Sequence, residues 1–189
     1  MSAPANVFGA ALWIQGKLVE INAEFCFIGG IALQRWGEPR FTQDVDLTVL
    51  CPLGDEERFA MQLSGFLAGR IPDAAAFSIR SRVYLGQAPD GTPVDLAYGG
   101  LPFESDCVRR ASDFEFAEGC RLRTCGVEDF VVLKAFANRG KDLLDLEGVL
   151  KRNRGKLDWT HIERDLKPLL EMKDAPELWA RLLDLKKNA

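Results

Sequence analysis

Histidine is almost missing from this chain: His161 is the only one among 189 residues. Paired-histidine zinc motifs and histidine-rich centres are therefore excluded, and metal chemistry falls to carboxylates or cysteines. Long apolar runs are missing too. The N-terminal stretch Val7 to Ile14 is far too short to span a bilayer, and no basic segment followed by a hydrophobic core directs export. Five cysteines, at 26, 51, 107, 120 and 125, form no regular framework, and the lone C-x4-C of Cys120 and Cys125 has no second pair to complete a zinc site. Free thiols, a cytoplasmic location and no membrane partner are the expectation.

Strong net charge is also lacking. A formal charge of -4 argues against general nucleic-acid coating, while 47% apolar and 28% charged residues suit a globular fold with a proper core. The balance is uneven along the chain. Residues 1–133 carry 11 Lys/Arg against 18 Asp/Glu, whereas 134–189 carry 13 against 10, so an acidic part precedes a slightly basic one.

Val7, Ala11, Ile14, Leu18 and Ile21 recur at steps of four and three, which predicts a helix from about residue 5 to 23. Phe25 to Ile28 reads as a short strand, Gly29-Gly30 as a turn and Ile31 to Trp36 as a helix stopped by Gly37 and Pro39. A second strand is expected from Arg40 to Leu50 and a helix over Asp55–Gly69. Phe77–Leu85 and Thr92–Tyr98 flank Pro89-Asp90-Gly91 like the arms of a hairpin. A helix near Glu104–Ala111 and a short β region through Arg123 follow. From Val127 onward the pattern is helical: 127–138, 141–153, 158–172 and 176–187. The expectation is an α+β chain, with a mixed β-sheet and flanking helices over 1–125 and a helical bundle over 126–189.

The chemistry concentrates between Gly29 and Leu50. Residues two apart on a strand share a face, so Asp44 and Asp46 project together while Val45, Leu47 and Val49 face a core. Adjacent carboxylates repel unless a cation lies between them, and oxygen ligation favours a hard ion such as Mg²⁺. Gly29 and Gly30, between a strand and a helix, leave backbone N–H groups open to a phosphate. A cation site beside an anion site suits a metal-bound triphosphate. Asp95, between Val94 and Leu96, is the best third carboxylate, whereas Asp90 belongs to the turn. Farther on, Lys134 interrupts the apolar stripe of Phe130, Val131 and Ala137. Asp142 and Asp145, one helical turn apart, could hold Lys134, Arg139 or a substrate group.

These elements resemble the nucleotidyltransferase superfamily of the DNA polymerase β type, and more closely its AbiEii-like branch. The matching text is Gly29-Gly30, then Arg40-Phe41-Thr42-Gln43-Asp44-Val45-Asp46, then Asp95, then the segment from Lys134 to Asp145 that contains Ala137, Arg139 and Asp142. The resemblance implies transfer of a nucleoside monophosphate from an NTP to an acceptor hydroxyl, with pyrophosphate released. Asp44, Asp46 and Asp95 would hold two Mg²⁺ ions, or Mn²⁺, and Gly29, Gly30, Arg40, Thr42, Lys134, Asp142 and Asp145 would serve the nucleotide. Gly30 replaces the serine of the common G-S form. Relatives in the branch act as toxins on tRNA or other targets, which implies an antitoxin protein as partner. An aminoglycoside-type small-molecule acceptor and a non-catalytic nucleotide-binding or partner-binding module are the alternatives. Lys151, Arg152, Arg154 and Lys156, with no acid between them, are the candidate RNA contact. Trp159, Leu166, Leu169, Leu170, Leu178, Leu182 and Leu185 read as packing positions or a partner surface.

Overall fold

The computed structural model describes residues 7–189, so the first two residues of the helix expected from about residue 5 lie outside the described part. Contacts group these residues into two units. One holds the residues up to Ile31 together with Phe41–Cys125, and the other holds Ala32–Arg40 with Gly126–Ala189.

The first unit contains α1 (Val7–Glu20), β1 (Phe25–Phe27), the start of α2 (Gly29–Trp36), β2 (Val45–Leu50), α3 (Glu56–Ser64), β3 (Ala68–Gly69), α4 (Ala74–Ser81), β4 (Val83–Gln87), β5 (Pro93–Gly99), α5 (Pro102–Arg110), β6 (Ser112–Ala117) and β7 (Cys120–Thr124). Among the described residues the strands form a seven-stranded sheet in the order β3-β4-β5-β2-β1-β7-β6. It is mixed: β2 runs parallel to β5 and β1 to β7, and the other pairs are antiparallel. The helical stripe of α1 buries Ala11, Ile14 and Leu18 completely. They join Phe27, Val45, Leu47, Val49, Val94, Leu96 and Leu122 in one core. Each fully buried aliphatic side chain of this kind contributes roughly 1.5–3 kcal/mol.

Three local expectations need correction. β2 begins at Val45 rather than Arg40. Val45 pairs with Val94, so the next position on the partner strand is Pro93, which has no N–H to extend the ladder. Phe77–Ser81 belongs to helix α4, not to a strand. Ala74-Ala75-Ala76 favours a helix, and Arg82 at φ 55° ends it, so the strand starts only at Val83. The helix expected over 55–69 stops at Ser64, and Ala68–Gly69 pairs as edge strand β3 with Gly86 and Gln87.

The second unit contains α6 (Val127–Ala137), α7 (Gly140–Arg152), α8 (Trp159–Met172) and α9 (Glu177–Asn188). Helix α6 buries residues on several sides, including Phe130, Val131, Val132 and Ala135, and contacts α7, α8 and α9. Of the positions expected to pack, Leu166, Leu170, Leu178 and Leu182 are buried, whereas Trp159, Leu169 and Leu185 are half-buried. The segment 32–40 is stitched to α7. Arg152 Nη1 donates to Gly37 O at 2.6 Å and Asn153 Nδ2 donates to Trp36 O at 2.8 Å. No helix among the described residues is long and apolar enough to cross a membrane.

Candidate active site

The parallel register of β2 and β5 sets Asp46 directly beside Asp95. Register partners point to the same side of a sheet, so the two carboxylates share one face. The neighbouring pairs Val45/Val94 and Leu47/Leu96 are fully buried on the other. Asp44 stands just before β2, outside the strand, and is held by a different device. Thr42 Oγ1 donates to Asp44 Oδ1 at 2.9 Å, and Thr42 is itself buried. Burial pushes the Asp95 carboxyl above the ordinary carboxylate range, the Arg70 guanidinium opposes this, and the Asp44 charge pushes the same way. Asp44 and Asp95 thus sense each other across the face. Asp90 stays in its turn, where Oδ1 accepts the Thr92 N–H at 2.9 Å.

Helix α2 opens at Gly29 itself, and the two glycines accept different neighbours. Gly29 has φ +55°, and a Cβ there would stand 2.0 Å from Asp46 Oδ2. A Cβ at Gly30 would stand 2.3 Å from Thr42 Oγ1. The space of the absent side chains is filled by Asp46 itself and by Thr42, the residue that holds Asp44. Gly30, the departure from the G-S form, therefore has a structural cause: a threonine hydroxyl lies where a serine side chain would begin. The first turn of α2 supplies N–H groups and the positive end of the helix dipole beside Asp46. The donor set suits a hard divalent ion, since Asp44, Asp46 and Asp95 offer only oxygen, and Asp95 Oδ1 is buried with no hydrogen bond directed at it.

The helical unit gathers Arg40, Lys134, Arg139, Asp142 and Asp145. Helix α6 ends at Asn138, whose φ of 53° turns the chain back so that the first turns of α7 meet the last turn of α6. Lys134, 5% exposed, donates from Nζ to Asp142 Oδ1 at 2.9 Å and to Asp145 Oδ2 at 2.7 Å. Asp142 also accepts from Arg139, at 3.1 Å from its backbone N–H and 2.6 Å from Nε. Asp145 takes a two-pronged contact from Arg40, with Nε at 2.8 Å and Nη2 at 3.1 Å. Burial works to raise the Asp142 pKa, but hydrogen bonds from Arg139 and Lys134 bring it down to about 2. Burial likewise acts upward on Asp145 and is outweighed by Arg40 and Lys134, so its pKa is lowered. Both acids are turned inward toward cations. Of the basic cluster, Arg152 is tied to Gly37 O, while Lys151, Arg154 and Lys156 are exposed.

Two arrangements escape sequence reasoning. Arg70, just after β3, lies 2.7 Å from Asp95 Oδ1 through Nη2. Its partner is reached across two strand pairings, so no spacing rule points to it. The single histidine is not isolated: His161 Nε2 lies 3.0 Å from Asp165 Oδ2 and 3.6 Å from Asp129 Oδ1. Ligand atoms of these three lie within 4.8 Å of one another, and the group could hold a metal ion in the helical unit. The i,i+4 spacing of His161 and Asp165 was a legible signal, whereas Asp129 comes from another helix.

Residues 16–185 match the family model described as nucleotidyl transferase AbiEii toxin, type IV TA system. No curated protein matches the chain. Among solved structures, an antigenic nucleotidyltransferase-like protein from Paracoccidioides brasiliensis is similar in fold, with TM-score 0.50 and 17% identity over 93% of this chain and 91% of that one. The complex of ANT(2'')-Ia with adenylyl-2''-tobramycin aligns with TM-score 0.45 and 13% identity over 96% and 97% of the two chains. The lincomycin-bound lincosamide antibiotic adenylyltransferase LnuA aligns with TM-score 0.44 and 10% identity over 85% and 94%. With its mixed sheet, its helical C-terminal part and a family match over residues 16–185, the chain belongs to the AbiEii nucleotidyltransferase toxin family and is a nucleotidyltransferase.

Proposed function

We propose that the protein moves a nucleoside monophosphate from an NTP to a hydroxyl of an RNA acceptor, tRNA being the leading candidate, and releases pyrophosphate. The observation that carries this reading is the register pairing of Asp46 with Asp95, with Asp44 beside them and the start of α2 pressed against Asp46. Asp44 and Asp46, completed by Asp95, would hold two Mg²⁺ ions, or Mn²⁺. Such ions supply the positive charge that favours ionisation of an attacking hydroxyl and departure of pyrophosphate.

The chain's own residues do the rest. Thr42 fixes the rotamer of Asp44 through its hydroxyl. The first turn of α2, which opens at Gly29 beside Asp46, would offer its N–H groups to phosphate oxygens. Asp95, in register with Asp46, would help orient the acceptor hydroxyl at the metal-binding face. Arg40 and Lys134 carry positive charge in the helical unit. In their own unit they belong to a group of three cations and two carboxylates, which keeps a net positive charge. Asp142 and Asp145 orient those cations. The exposed Lys151, Arg154 and Lys156 support an RNA acceptor, and an antitoxin protein is the expected partner.

The deciding experiment incubates the full chain with each labelled NTP, Mg²⁺ and either total RNA or an aminoglycoside, beside Asp44→Asn. Label on RNA from the wild type alone supports the reading, and label on the aminoglycoside moves the acceptor to a small molecule. NTP binding without turnover on either acceptor, or full activity of Asp44→Asn, overturns it.

A further inference from the structure

The sheet places a cation beside Asp95 that the reading above leaves without a task. Arg70 follows β3, and its backbone N–H donates to Leu85 O at 3.0 Å. Leu85 is the register partner of Asp95 on the next strand, so Arg70 reaches Asp95 across β4. Its Nη2 lies 2.7 Å from Asp95 Oδ1, and each side chain is 29% exposed. That oxygen is nonetheless buried and receives no well-directed hydrogen bond. The contact is one of opposite charges without an aligned N–H, which makes it easier to exchange than a bidentate pair such as Arg40 with Asp145.

Asp44, Asp46 and Asp95 carry three negative charges on one face of one unit. The Arg70 guanidinium neutralises Asp95, at a longer distance than the roughly 2.0–2.1 Å of a Mg²⁺–oxygen bond. We propose that Arg70 is a resident counter-cation of Asp95, which it holds until a divalent metal ion displaces it, and that it thereby sets the metal concentration to which the site responds. The inference rests on the reading of Asp44, Asp46 and Asp95 as metal carboxylates. In it Arg70 is a positioning residue and touches no reacting atom. The partly exposed guanidinium can leave Asp95 without a buried charge being stranded, because water receives it.

The test measures Mn²⁺ binding to the metal-free full chain, by electron paramagnetic resonance of free Mn²⁺ and by calorimetry. Arg70→Gln, which removes the competing charge, tightens Mn²⁺ binding by about fivefold or more. Arg70→Lys, which keeps the charge on a different stem, tightens it less. In Asp95→Asn, Mn²⁺ binding weakens, and adding Arg70→Gln changes it no further. Unchanged or weaker Mn²⁺ binding by folded Arg70→Gln overturns the proposal. Should Arg70→Gln fail to fold, unchanged binding by Arg70→Met, which also removes the charge, does the same. If Asp95→Asn binds Mn²⁺ as the wild type does, the metal-carboxylate reading fails, and this inference with it. If Asp95→Asn weakens binding while Arg70→Gln leaves it unchanged, only the role of Arg70 is lost.

Discussion

The carboxylate of Asp46 occupies the space that a side chain at Gly29 would need: a Cβ built on Gly29 stands 2.0 Å from Asp46 Oδ2. Position 29 is also left-handed, at φ +55°. Gly29→Ala therefore combines backbone strain of about 1 kcal/mol or more with expulsion of Asp46 from its place. The expected result is a lower melting temperature together with loss of Mn²⁺ binding, read by thermal unfolding and calorimetry. A variant that melts earlier yet binds Mn²⁺ as the wild type does would place the metal elsewhere.

Gly30 and Thr42 form a second pair of this kind, with Thr42 Oγ1 2.3 Å from a Cβ built at 30. Gly30→Ser forces Thr42 aside and with it the hydroxyl that supports Asp44, at an overpacking cost of about 1–3 kcal/mol. Thr42→Ala loses the same support without the clash. Because both changes act on Asp44, turnover of the double variant is expected to be no lower than that of the worse single variant. A double-mutant cycle in nucleotide transfer checks this, and strictly additive losses would count against it.

Lys134 is the shared partner of two inward-turned acids, with side chains 6%, 0% and 3% exposed for Lys134, Asp142 and Asp145. Removing one member of a buried ion network leaves the others uncompensated, so Lys134→Met is expected to cost about 3–5 kcal/mol in urea unfolding. A loss below about 1 kcal/mol would mean that Arg40 and Arg139 alone satisfy the two carboxylates.

The same network gives a pH dependence. The pKa of Asp142 is about 2 when folded. That is lower than the roughly 3.9 of an unfolded aspartate, so its stabilisation is fully present above the unfolded value and is lost as pH falls through the folded one. A contribution of about 2–3 kcal/mol therefore fades between about pH 4 and pH 2. Chemical denaturation across that window should be flatter for Asp142→Asn than for the wild type.

Much of this arrangement was legible because it follows the two short periods of secondary structure. Alternation on strands foretold the buried Val45 and Leu47 behind Asp46, but Asp44, expected to project beside Asp46 from the same strand, precedes that strand. Helical spacing left Lys134, Arg139 or a substrate group as partners for Asp142 and Asp145, and Lys134 meets both acids while Arg139 meets Asp142. What escaped depended on pairing at a distance. Arg70 meets Asp95 only through the order β3-β4-β5, and Asp129 meets His161 only through the contact of α6 with α8. The strand expected over Phe77–Ser81 failed because a run of three alanines just before it outweighed its apolar, strand-like appearance.

The stitching of residues 32–40 to α7 bears on inheritance. Leu33 is 1% exposed, and its Cδ1 and Val149 Cγ2 both close on the Cα of Gly37, within 2.7 and 2.8 Å of a Cβ placed there. Neither unit is therefore one continuous stretch of coding sequence. A single recombination crossover near codon 125 would deliver a helical piece lacking part of its own interior and a sheet piece carrying an orphaned segment. Sequence exchange between relatives is expected to succeed only when residues 32–40 travel with residues 126–189.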